Sequence, residues 1–412
     1  MNKIDENIEI YFSKNLSSSL TYSANKIKVK EVSEDEGFGI RVKKNSRVGF
    51  SFCSNQNQIR EAIEMAKTVA KFSPKTNFNF TPEQKTETWN NYDKKIDPQK
   101  IEQIKDQIDS ALSIIEGKTN PRIIVSNSIS QTKIENGLGY FGDYKSTVFS
   151  AYIEFMIGSG SGFSYFSSIK KPKNLIKEAQ EAYEIAKKMG KARKLKRNGE
   201  MKVVFTPSAL ENLIEILIPS FSGDWFRRKI TKINKNKLMF DQRLTLADDP
   251  LRKNAISSRP FDDEGSTSTR KELIGSGIIK NFLFDKETAA LAKLDEQGNA
   301  SRSGYDSRPA ISQTNLVIEE GQTKDFDEIG EHIEIISAHG SHTSNPTSGD
   351  FGLEVNAAIH KNKGDEIPVR GFLISGNVFE CFREIEAIGK EQMQFGTLFS
   401  PKIAFKKIKV IS

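Results

Sequence analysis

Histidine and cysteine, the side chains that most often bind zinc, are scarce in this sequence. Only His339 and His342 are close neighbours. Three residues apart on a strand they would point to opposite faces, whereas in a loop they could converge, so the spacing alone does not define a metal site. Hydrogen-bonded loop histidines are the simpler interpretation. The complete set is His332, His339, His342, His360, Cys53 and Cys381.

The acidic triplet Asp262-Asp263-Glu264 is a second feature that suggests chemistry. Carboxylate oxygens are the ligands that Mg²⁺ and Ca²⁺ prefer, so the triplet could hold a hard cation. Adjacent carboxylates repel one another unless a positive group neutralises them, and Arg259 lies close by in the sequence. A structural loop held by ion pairs is therefore at least as good an interpretation as a metal site.

A loop rich in hydroxyl, amide and glycine residues occupies positions 340–351, between two strand-like segments. Such a loop can receive an extended peptide beside a strand edge, and it can also be a hydrogen-bonded turn within a sheet. Composition alone favours the turn. A further hypothesis places a metal ion among His339, His342 and Asp350, which would make the chain a self-sufficient hydrolase.

The elements that position these residues begin with a hairpin. Residues 37–42 and 47–52 are two β-like runs separated by a polar turn that contains Asn45 and Ser46. The residues that follow repeat apolar side chains at helical spacing, which predicts an amphipathic helix over the hairpin. The helical positions are Ile59, Ala62, Ile63, Ala66, Val69 and Ala70.

The remaining N-terminal segments predict further strands and two more helices. Alternation over residues 26–30 predicts a half-buried strand with Ile27 and Val29 on one face. Residues 122–126 and 150–157 are strand-like, and the glycine-serine stretch 158–162 is typical of a flexible loop. One helix begins at Asp97-Pro98 and ends at Gly117, and another ends at Gly190.

A basic run at residues 191–197, followed by Asn198-Gly199, marks the predicted domain boundary. A solvated linker is the preferred interpretation of this run, and contact with nucleic acid is the alternative. Beyond it, residues 201–205 predict a strand and Thr206-Pro207 a helix start, with Pro219 as its end. Short apolar runs then alternate with turns at residues 278–284, 316–318, 333–336, 353–359, 372–374 and 403–411.

These elements predict an α+β fold in two domains. Residues 1–195 form a mixed α/β domain with helices covering a sheet, and residues 196–412 form a mainly antiparallel β domain. The formal net charge of +7 does not by itself locate a binding patch. Two cysteines exclude a disulfide framework, and the absence of a long apolar segment from the sequence predicts a cytoplasmic protein without a membrane span.

Several segments, taken in order, resemble the TldD/PmbA family, also called modulator-of-gyrase proteins, whose members include zinc-dependent peptidases. The resemblance covers most of the chain, and the order of the segments carries it. The segments are residues 37–52 with the following helix, 248–250, 259–265, 314–316 with Glu320-Gly321, 342–351 and Gly376-Asn377.

The resemblance also implies what this chain lacks. In the catalytic TldD-like branch a helix carries H-E-x-x-x-H, whose histidines bind zinc with a distant cysteine. Alignment through residues 221–224 places Ile214, Glu215 and Pro219 at the three helix positions. Cys381 follows Gly376-Asn377 in a segment that resembles the PmbA (TldE) ending, so no ligand role is carried over to it.

The preferred hypothesis is therefore a non-catalytic subunit that pairs with a zinc-bearing TldD-type partner and helps to enclose a peptide or an unfolded protein. Zinc is expected in the partner and no cofactor in this chain, while pairing with a second copy stays open. A topoisomerase- or nucleic-acid-associated protein is a further alternative. The predicted peptide-cleft residues are His342, Thr343, Asn345, Ser348, Gly349, Asp350, Arg259, Asp262 and Asp263.

Overall fold

The computed structural model describes residues 5–24, 26–85, 89–113, 115, 119–295 and 297–412 of the chain. Sheets dominate both halves and helices pack against them, so the predicted α+β class is confirmed. The predicted helix end at Gly117 lies outside the described residues.

The N-terminal half is built on a six-stranded antiparallel sheet. Its four central strands hold 16 to 19 residues each, which is longer than the short runs that the sequence predicts. The strands are β1 (Ile8–Ser23), β2 (Lys26–Lys44), β3 (Arg47–Cys53), β4 (Asn120–Asn136), β5 (Phe141–Ile157) and β6 (Gly160–Ser168), in the spatial order β3-β2-β1-β4-β5-β6.

The predicted hairpin and its covering helix are confirmed. Asn45 and Ser46 join β2 to β3 with φ angles of 51° and 57°, as in a two-residue turn whose residues are both left-handed. Helix α1 (Ile59–Ala70) lays its alanines on the hairpin. A Cβ at Gly49 would lie 1.8 Å from the carbonyl oxygen of Ala66, so this close approach requires glycine.

Two further helices pack on the same sheet. The first begins at Asp97 as predicted, but it is a 3-10 helix over Pro98–Ile104 before it becomes α2 (Lys105–Ser113). Helix α3 (Ile176–Met189) ends at Gly190 as predicted. Their buried isoleucines and alanines complete the N-terminal core.

The glycine-serine stretch predicted as a flexible loop is mostly strand. Gly158 and Ser159 form the turn, but β6 already begins at Gly160 and packs against α3. A Cβ at Gly162 would lie 2.3 Å from the backbone nitrogen of Ala186. These glycines therefore allow a close contact between helix and sheet, which glycine in a strand often marks.

The strand at the start of β2 is confirmed, but its predicted face is wrong. Tyr22 pairs with Ile27 and Thr21 pairs with Val29, so Lys28 is an extra residue in a β-bulge. A bulge interrupts the alternation of side chains and turns the two apolar residues to opposite faces. Ile27 packs on the core, whereas Val29 is 44% exposed.

The C-terminal half contains the other strands and helices of the described residues. The predicted helix after Thr206 is confirmed, and a 3-10 turn at Ile218–Phe221 follows it. The helices are α4 (Pro207–Leu217), α5 (Gly223–Arg227), α6 (Lys286–Ala292) and α7 (Val378–Arg383). The strands are β7 (Arg193–Lys194), β8 (Gly199–Phe205), β9 (Leu246–Asp248), β10 (Lys271–Gly275), β11 (Ile278–Ile279), β12 (Ala300–Ser301), β13 (Ala310–Ile311), β14 (Leu316–Ile318), β15 (His332–His339), β16 (Asp350–Asn362), β17 (Asp365–Arg370), β18 (Phe372–Asn377), β19 (Ile385–Ile388), β20 (Met393–Phe395), β21 (Leu398–Ser400) and β22 (Ile403–Ile411).

These strands form two large sheets and a two-stranded ladder of β12 with β13. One sheet has the order β11-β10-β9-β14-β21-β20, and the other has the order β15-β8-β22-β18-β16-β17-β7 with β19 beside β22. Most pairs are antiparallel, while β8–β15, β14–β21 and β7–β17 are parallel. Pairing of β15 with β16 closes five strands of the larger sheet into a ring.

The two cysteines are free thiols, in agreement with the predicted lack of a disulfide framework, and both are buried. No helix within the described ranges is long and apolar enough to cross a membrane. β7, at residues 193–194, already pairs with the C-terminal sheet. The domain boundary at residues 195 and 196 stays a prediction.

Candidate functional site

Helix α4 and the 3-10 turn after it hold the positions that the family resemblance assigns to zinc ligands. Pro207 stands at the start of α4, where the missing N–H costs no hydrogen bond, and the apolar side of the helix lies in the C-terminal core. Ile214 is 3% exposed, and Pro219 lies in the 3-10 turn after the helix. Neither side chain has a donor atom for a metal, so the residues present do not fit a zinc ion here.

The polar side of α4 is tied to the end of β15. The hydroxyl of Ser208 donates to the carbonyl of Ile336 at 2.7 Å, and the amide of Asn212 donates to the carbonyl of Ala338 at 3.1 Å. The register of β15 against β16 shifts in this region. Helix α4 therefore supplies donors to carbonyl groups beside an irregular part of the ladder.

Two glutamates lie one turn apart on the polar side of α4. Glu215, at the position of the catalytic glutamate, accepts a hydrogen bond of 2.6 Å from the hydroxyl of Ser341. Burial, followed by the negative charge of Glu215, raises the pKa of Glu211 to about 7. Glu211 was not among the site residues predicted from the sequence. Its spacing of four residues from Glu215 places both glutamates on one helix face and could have indicated it.

The N-terminal sheet meets α4 through the turn after β20. The amide of Gln394 donates to the backbone carbonyls of Ser167 at 3.2 Å and Gly396 at 3.0 Å. A Cβ added at Gly396 would lie 3.7 Å from Oε1 of Glu211. The polar side of α4 therefore borders the junction between β6 of the first sheet and the C-terminal half.

The loop at residues 340–351 is the hydrogen-bonded turn that its composition predicts. The side-chain oxygen of Asn345 accepts hydrogen bonds from the backbone N–H groups of Thr347 at 3.0 Å and Ser348 at 3.2 Å. The backbone closes the turn, because Asn345 donates to the carbonyl of Asp350 and accepts from Gly349. Its role towards a peptide stays a prediction.

Asn377 fastens this turn to the start of α7. Its amide donates to the carbonyl of Ser348 at 2.9 Å and to the carboxylate of Asp350 at 2.8 Å. Hydrogen bonds with Ser348 and then Asn377 lower the pKa of Asp350. Gly349 has a φ of +84°, and a Cβ there would lie 2.5 Å from the ring of Phe379.

The histidines of this region do not assemble the hypothesised metal site. His339 Nε2 is 3.4 Å from the carboxylate of Glu354, while His342 and Thr343 lie exposed in a 3-10 turn. In the described part of the chain no group of three or more His, Cys, Asp or Glu side chains is placed to hold a metal ion. His339, His342 and Asp350 therefore do not form a ligand set here.

The acidic triplet is fully buried and folded around backbone donors. The carboxylate of Asp262 accepts hydrogen bonds from the N–H groups of Glu264, Ser266 and Ala300 at 2.9 to 3.0 Å. Burial and then the charge of Glu264 raise the pKa of Asp262 to about 6, although the backbone donors oppose this shift. The segment is a structural loop, as one of the two interpretations expects.

Arg259 and Asp263 belong to the same buried loop. Their closest charged atoms are 3.7 Å apart, and the carboxylate of Asp263 accepts a hydrogen bond of 2.7 Å from the backbone of Arg302. Within the described residues, Nε and Nη2 of Arg259 have no hydrogen-bond partner. Arg259 therefore acts mainly as a buried positive charge among carboxylates.

A buried ion network joins this loop to the N-terminal sheet. Glu9 accepts from Nε and Nη2 of Arg41 at 2.8 and 2.9 Å and from Nη2 of Arg302 at 3.0 Å. Arg41 also pairs with Glu264. Burial opposes the charge of Arg41, but the negative charges of Glu9 and Glu264 raise its pKa overall. The network spans residues from both halves of the chain.

The structure therefore divides the predicted cleft residues between two places. The loop residues contact α4 and α7, whereas Arg259, Asp262 and Asp263 contact the N-terminal sheet and the segment near Arg302. Across the described ranges no hydrogen bond or ion pair joins the two groups. We define the α4 site as the polar side of α4 together with the loop at residues 340–351.

Comparisons with known proteins agree with this architecture. The family model described as the PmbA/TldA metallopeptidase C-terminal domain matches residues 198–412, and the model described as PmbA/TldA metallopeptidase domain 1 matches residues 8–70. The chain thus belongs to the PmbA/TldD family of metallopeptidases.

Two relatives and one solved structure show the extent of the similarity. An uncharacterised protein of Methanocaldococcus jannaschii is 28% identical over 97% of this chain and 95% of its own length. A protein of Buchnera aphidicola named as a metalloprotease PmbA homolog is 24% identical over 99% of this chain and 93% of its own length. The crystal structure of TldE from Thermococcus kodakarensis superposes with a TM-score of 0.86 at 22% identity, over 98% of this chain and 96% of that chain, and it supports the fold.

Proposed function

We propose that this chain is a non-catalytic, substrate-binding subunit of a TldD-type zinc metallopeptidase. The proposal rests on Ile214 and Pro219, which stand at the two helix-ligand positions that the family resemblance implies and which have no metal-binding atoms. A zinc peptidase needs three protein ligands and a metal-bound water for its general base to activate. Glu215 remains at the base position without the ligands that would place such a water.

Cys381 carries no ligand role by resemblance, and its environment also makes it a poor zinc ligand. Cys381 is 5% exposed, and burial raises the pKa of its thiol to about 12. Zinc binds the thiolate form of cysteine, which such burial disfavours. In this proposal the partner therefore contributes the complete zinc site.

The contribution of this chain is a surface for an extended peptide. The α4 site carries Glu215, an exposed loop with His342, and the turn fixed by Asn377. Polar groups that are held in place before the substrate arrives lower the entropic cost of binding a peptide. The hydrogen bonds within the loop provide that order, and a TldD-type partner would close the other side.

Zinc content and peptide cleavage, measured on the chain alone and after mixing with a TldD-type partner, test the proposal. We expect zinc and activity to accompany the partner, and a mixed complex in size-exclusion chromatography with light scattering. The isolated chain is expected to bind substoichiometric zinc and to cleave no unstructured peptide. Full zinc-dependent cleavage by the isolated chain would contradict the proposal.

A variant of the pair tests the peptide surface separately. His342 is exposed, so His342→Ala should leave folding and zinc content unchanged. We expect it to raise KM for a peptide while kcat stays the same, since this subunit supplies binding and not chemistry. An unchanged KM would show that the loop does not bind the peptide. The proposed subunit role would then be decided by the zinc measurement alone.

A further inference from the structure

The densest run of positive charge in this sequence is residues 187–197, which we call the basic segment. It contains seven Lys or Arg residues and no acidic residue. The whole chain has 61 basic and 54 acidic residues, so removing these seven leaves 54 of each. The segment thus carries seven positive charges, as many as the net charge of the whole chain, and a second run at residues 227–237 carries six.

The basic segment is anchored and is not the solvated linker that its composition suggests. Met189, Ala192 and Leu195 turn inward at intervals of three residues, and Met189 and Leu195 are 1% and 4% exposed. Residues 193–194 form strand β7, which pairs with β17. The cationic side chains between these anchors are thus held on a folded surface, so little backbone order has to be gained on binding.

Most charges of the basic segment have no charged partner among the residues that the structure describes. Lys188 lies 3.6 Å from Glu366 and Arg197 lies 2.6 Å from Glu331. The helix C-terminus also favours positive charge, but this effect decays within the last turn of α3. Within the described residues, four exposed side chains of the segment make no ion pair or side-chain hydrogen bond: Lys191, Arg193, Lys194 and Lys196.

We propose that the basic segment is a docking site for an acidic, extended polypeptide segment. Charge complementarity requires an anionic occupant. β7 is the last strand of its sheet in the described ladder order, so one side of its backbone is open for strand addition. The proposal does not depend on the zinc-free subunit role, because the site lies outside α4 and its loop.

A polypeptide fits this surface better than nucleic acid does. Proteins that bind single strands combine cations with exposed aromatic rings on which the bases stack. The segment itself contains no aromatic residue, and the nearby ring of Tyr183 packs against Phe155 with centroids 5.8 Å apart. An open strand edge offers backbone hydrogen-bond donors and acceptors to a peptide. A phosphodiester chain has no alternating N–H and C=O groups that could pair with them.

Fluorescence anisotropy of a labelled oligoglutamate with the full chain tests the proposal. The test variant replaces the four unpaired residues with serine: Lys191, Arg193, Lys194 and Lys196. The matched control replaces four exposed lysines elsewhere and so changes the net charge equally: Lys28, Lys71, Lys253 and Lys407. Circular dichroism and thermal unfolding confirm that both variants fold.

We expect the test variant to bind oligoglutamate about tenfold more weakly, because four exposed ion pairs of small individual effect are lost together. The control variant should bind as the parent does, and added salt should weaken parental binding. Equal weakening in both variants would reduce the effect to net charge and overturn the proposal. An oligothymidylate of equal charge that binds more tightly than oligoglutamate would overturn it in favour of nucleic acid.

Discussion

In the folded protein the carboxyl group of Glu211 favours its protonated form. Burial and the neighbouring charge of Glu215 raise its pKa from an ordinary 4.5 to about 7. Between these two values the folded carboxyl is protonated while the unfolded one is ionised, so folding takes up a proton. The stability of the protein therefore falls as pH rises through this window and stays lower above it.

Glu211→Gln removes this penalty while it keeps the shape of the side chain. We expect the variant to be more stable than the parent by about 1–2 kcal/mol at about pH 8, after a discount for partial exposure, and equally stable at about pH 4. Urea unfolding at both pH values measures the difference. The control Glu184→Gln, an exposed position on α3, should change neither value. A gain of equal size at both pH values would rule out titration of Glu211.

Gly349 holds the loop of the α4 site in a conformation that other residues resist. Its φ is +84°, and a Cβ would contact the ring of Phe379 at 2.5 Å. Gly349→Ala should therefore destabilise the protein by about 1–3 kcal/mol. The control Gly352→Ala, where no atom lies within 4 Å of the added Cβ, should cost less than about 1 kcal/mol. If thermal or urea unfolding showed similar losses of stability for both variants, the proposed backbone strain at position 349 would be contradicted.

For single residues, the sequence predicts the chemical type of a side chain better than it predicts the surroundings of that side chain in the fold. The absence of ligands at Ile214 and Pro219 follows from side-chain chemistry alone once the helix is aligned. The raised pKa of Glu211 could not be predicted, because it depends on burial beside a turn almost two hundred positions away in the chain. Spacing reveals which residues share a face but not what covers that face.

At the scale of elements, the contact between α3 and β6 depends on glycine. A Cβ at Gly162 would lie 2.3 Å from the nitrogen of Ala186 and 2.4 Å from the oxygen of Ala182, which are backbone atoms of the helix. Gly162→Ala should destabilise the protein by about 3 kcal/mol, because the helix must move away from the sheet. Ser161→Ala, on the exposed side of the same strand, should change urea unfolding by less than about 0.5 kcal/mol. A neutral Gly162→Ala would show that the helix can shift freely.

Elements with local signals are predictable from the sequence, and those that rely on distant partners are not. The turn at Asn45 and Ser46, the helix α1 and the start of α4 all follow from short-range patterns. The bulge at Lys28 and the strand at Gly160 do not, because each depends on a neighbouring strand or helix. Serine-rich sequence also hides the length of β1, whose outer face has little apolar alternation.

At the scale of the whole molecule, buried charges from the two halves of the chain join those halves to each other. Glu9 and Arg41 come from the first sheet, while Glu264 and Arg302 come from the C-terminal half. The sequence places the acidic triplet beside Arg259, whose charge acts on Asp262 and Asp263, whereas Glu264 pairs with Arg41 of the N-terminal sheet. Arg41 lies 223 residues from Glu264, so no local pattern could identify this pair.

Removal of the Glu9 charge tests this network. Glu9 is 0% exposed and accepts hydrogen bonds from both Arg41 and Arg302. In Glu9→Gln two buried guanidinium groups lose a shared anion, so the free energy of unfolding should fall by about 3–5 kcal/mol.

The matched control is Glu36→Gln, which breaks an exposed pair with Lys14 at 2.7 Å and should cost less than about 1 kcal/mol. Urea unfolding measures both changes, and limited proteolysis of Glu9→Gln should cut between the two sheets sooner than in the parent. The two measurements distinguish general destabilisation from separation of the two halves. If the Glu9 charge only stabilised β1, its loss would lower the free energy of unfolding but would not speed cleavage between the two sheets. A loss in Glu9→Gln no larger than in the control would mean that water reaches these guanidinium groups and that the network does not hold the halves together.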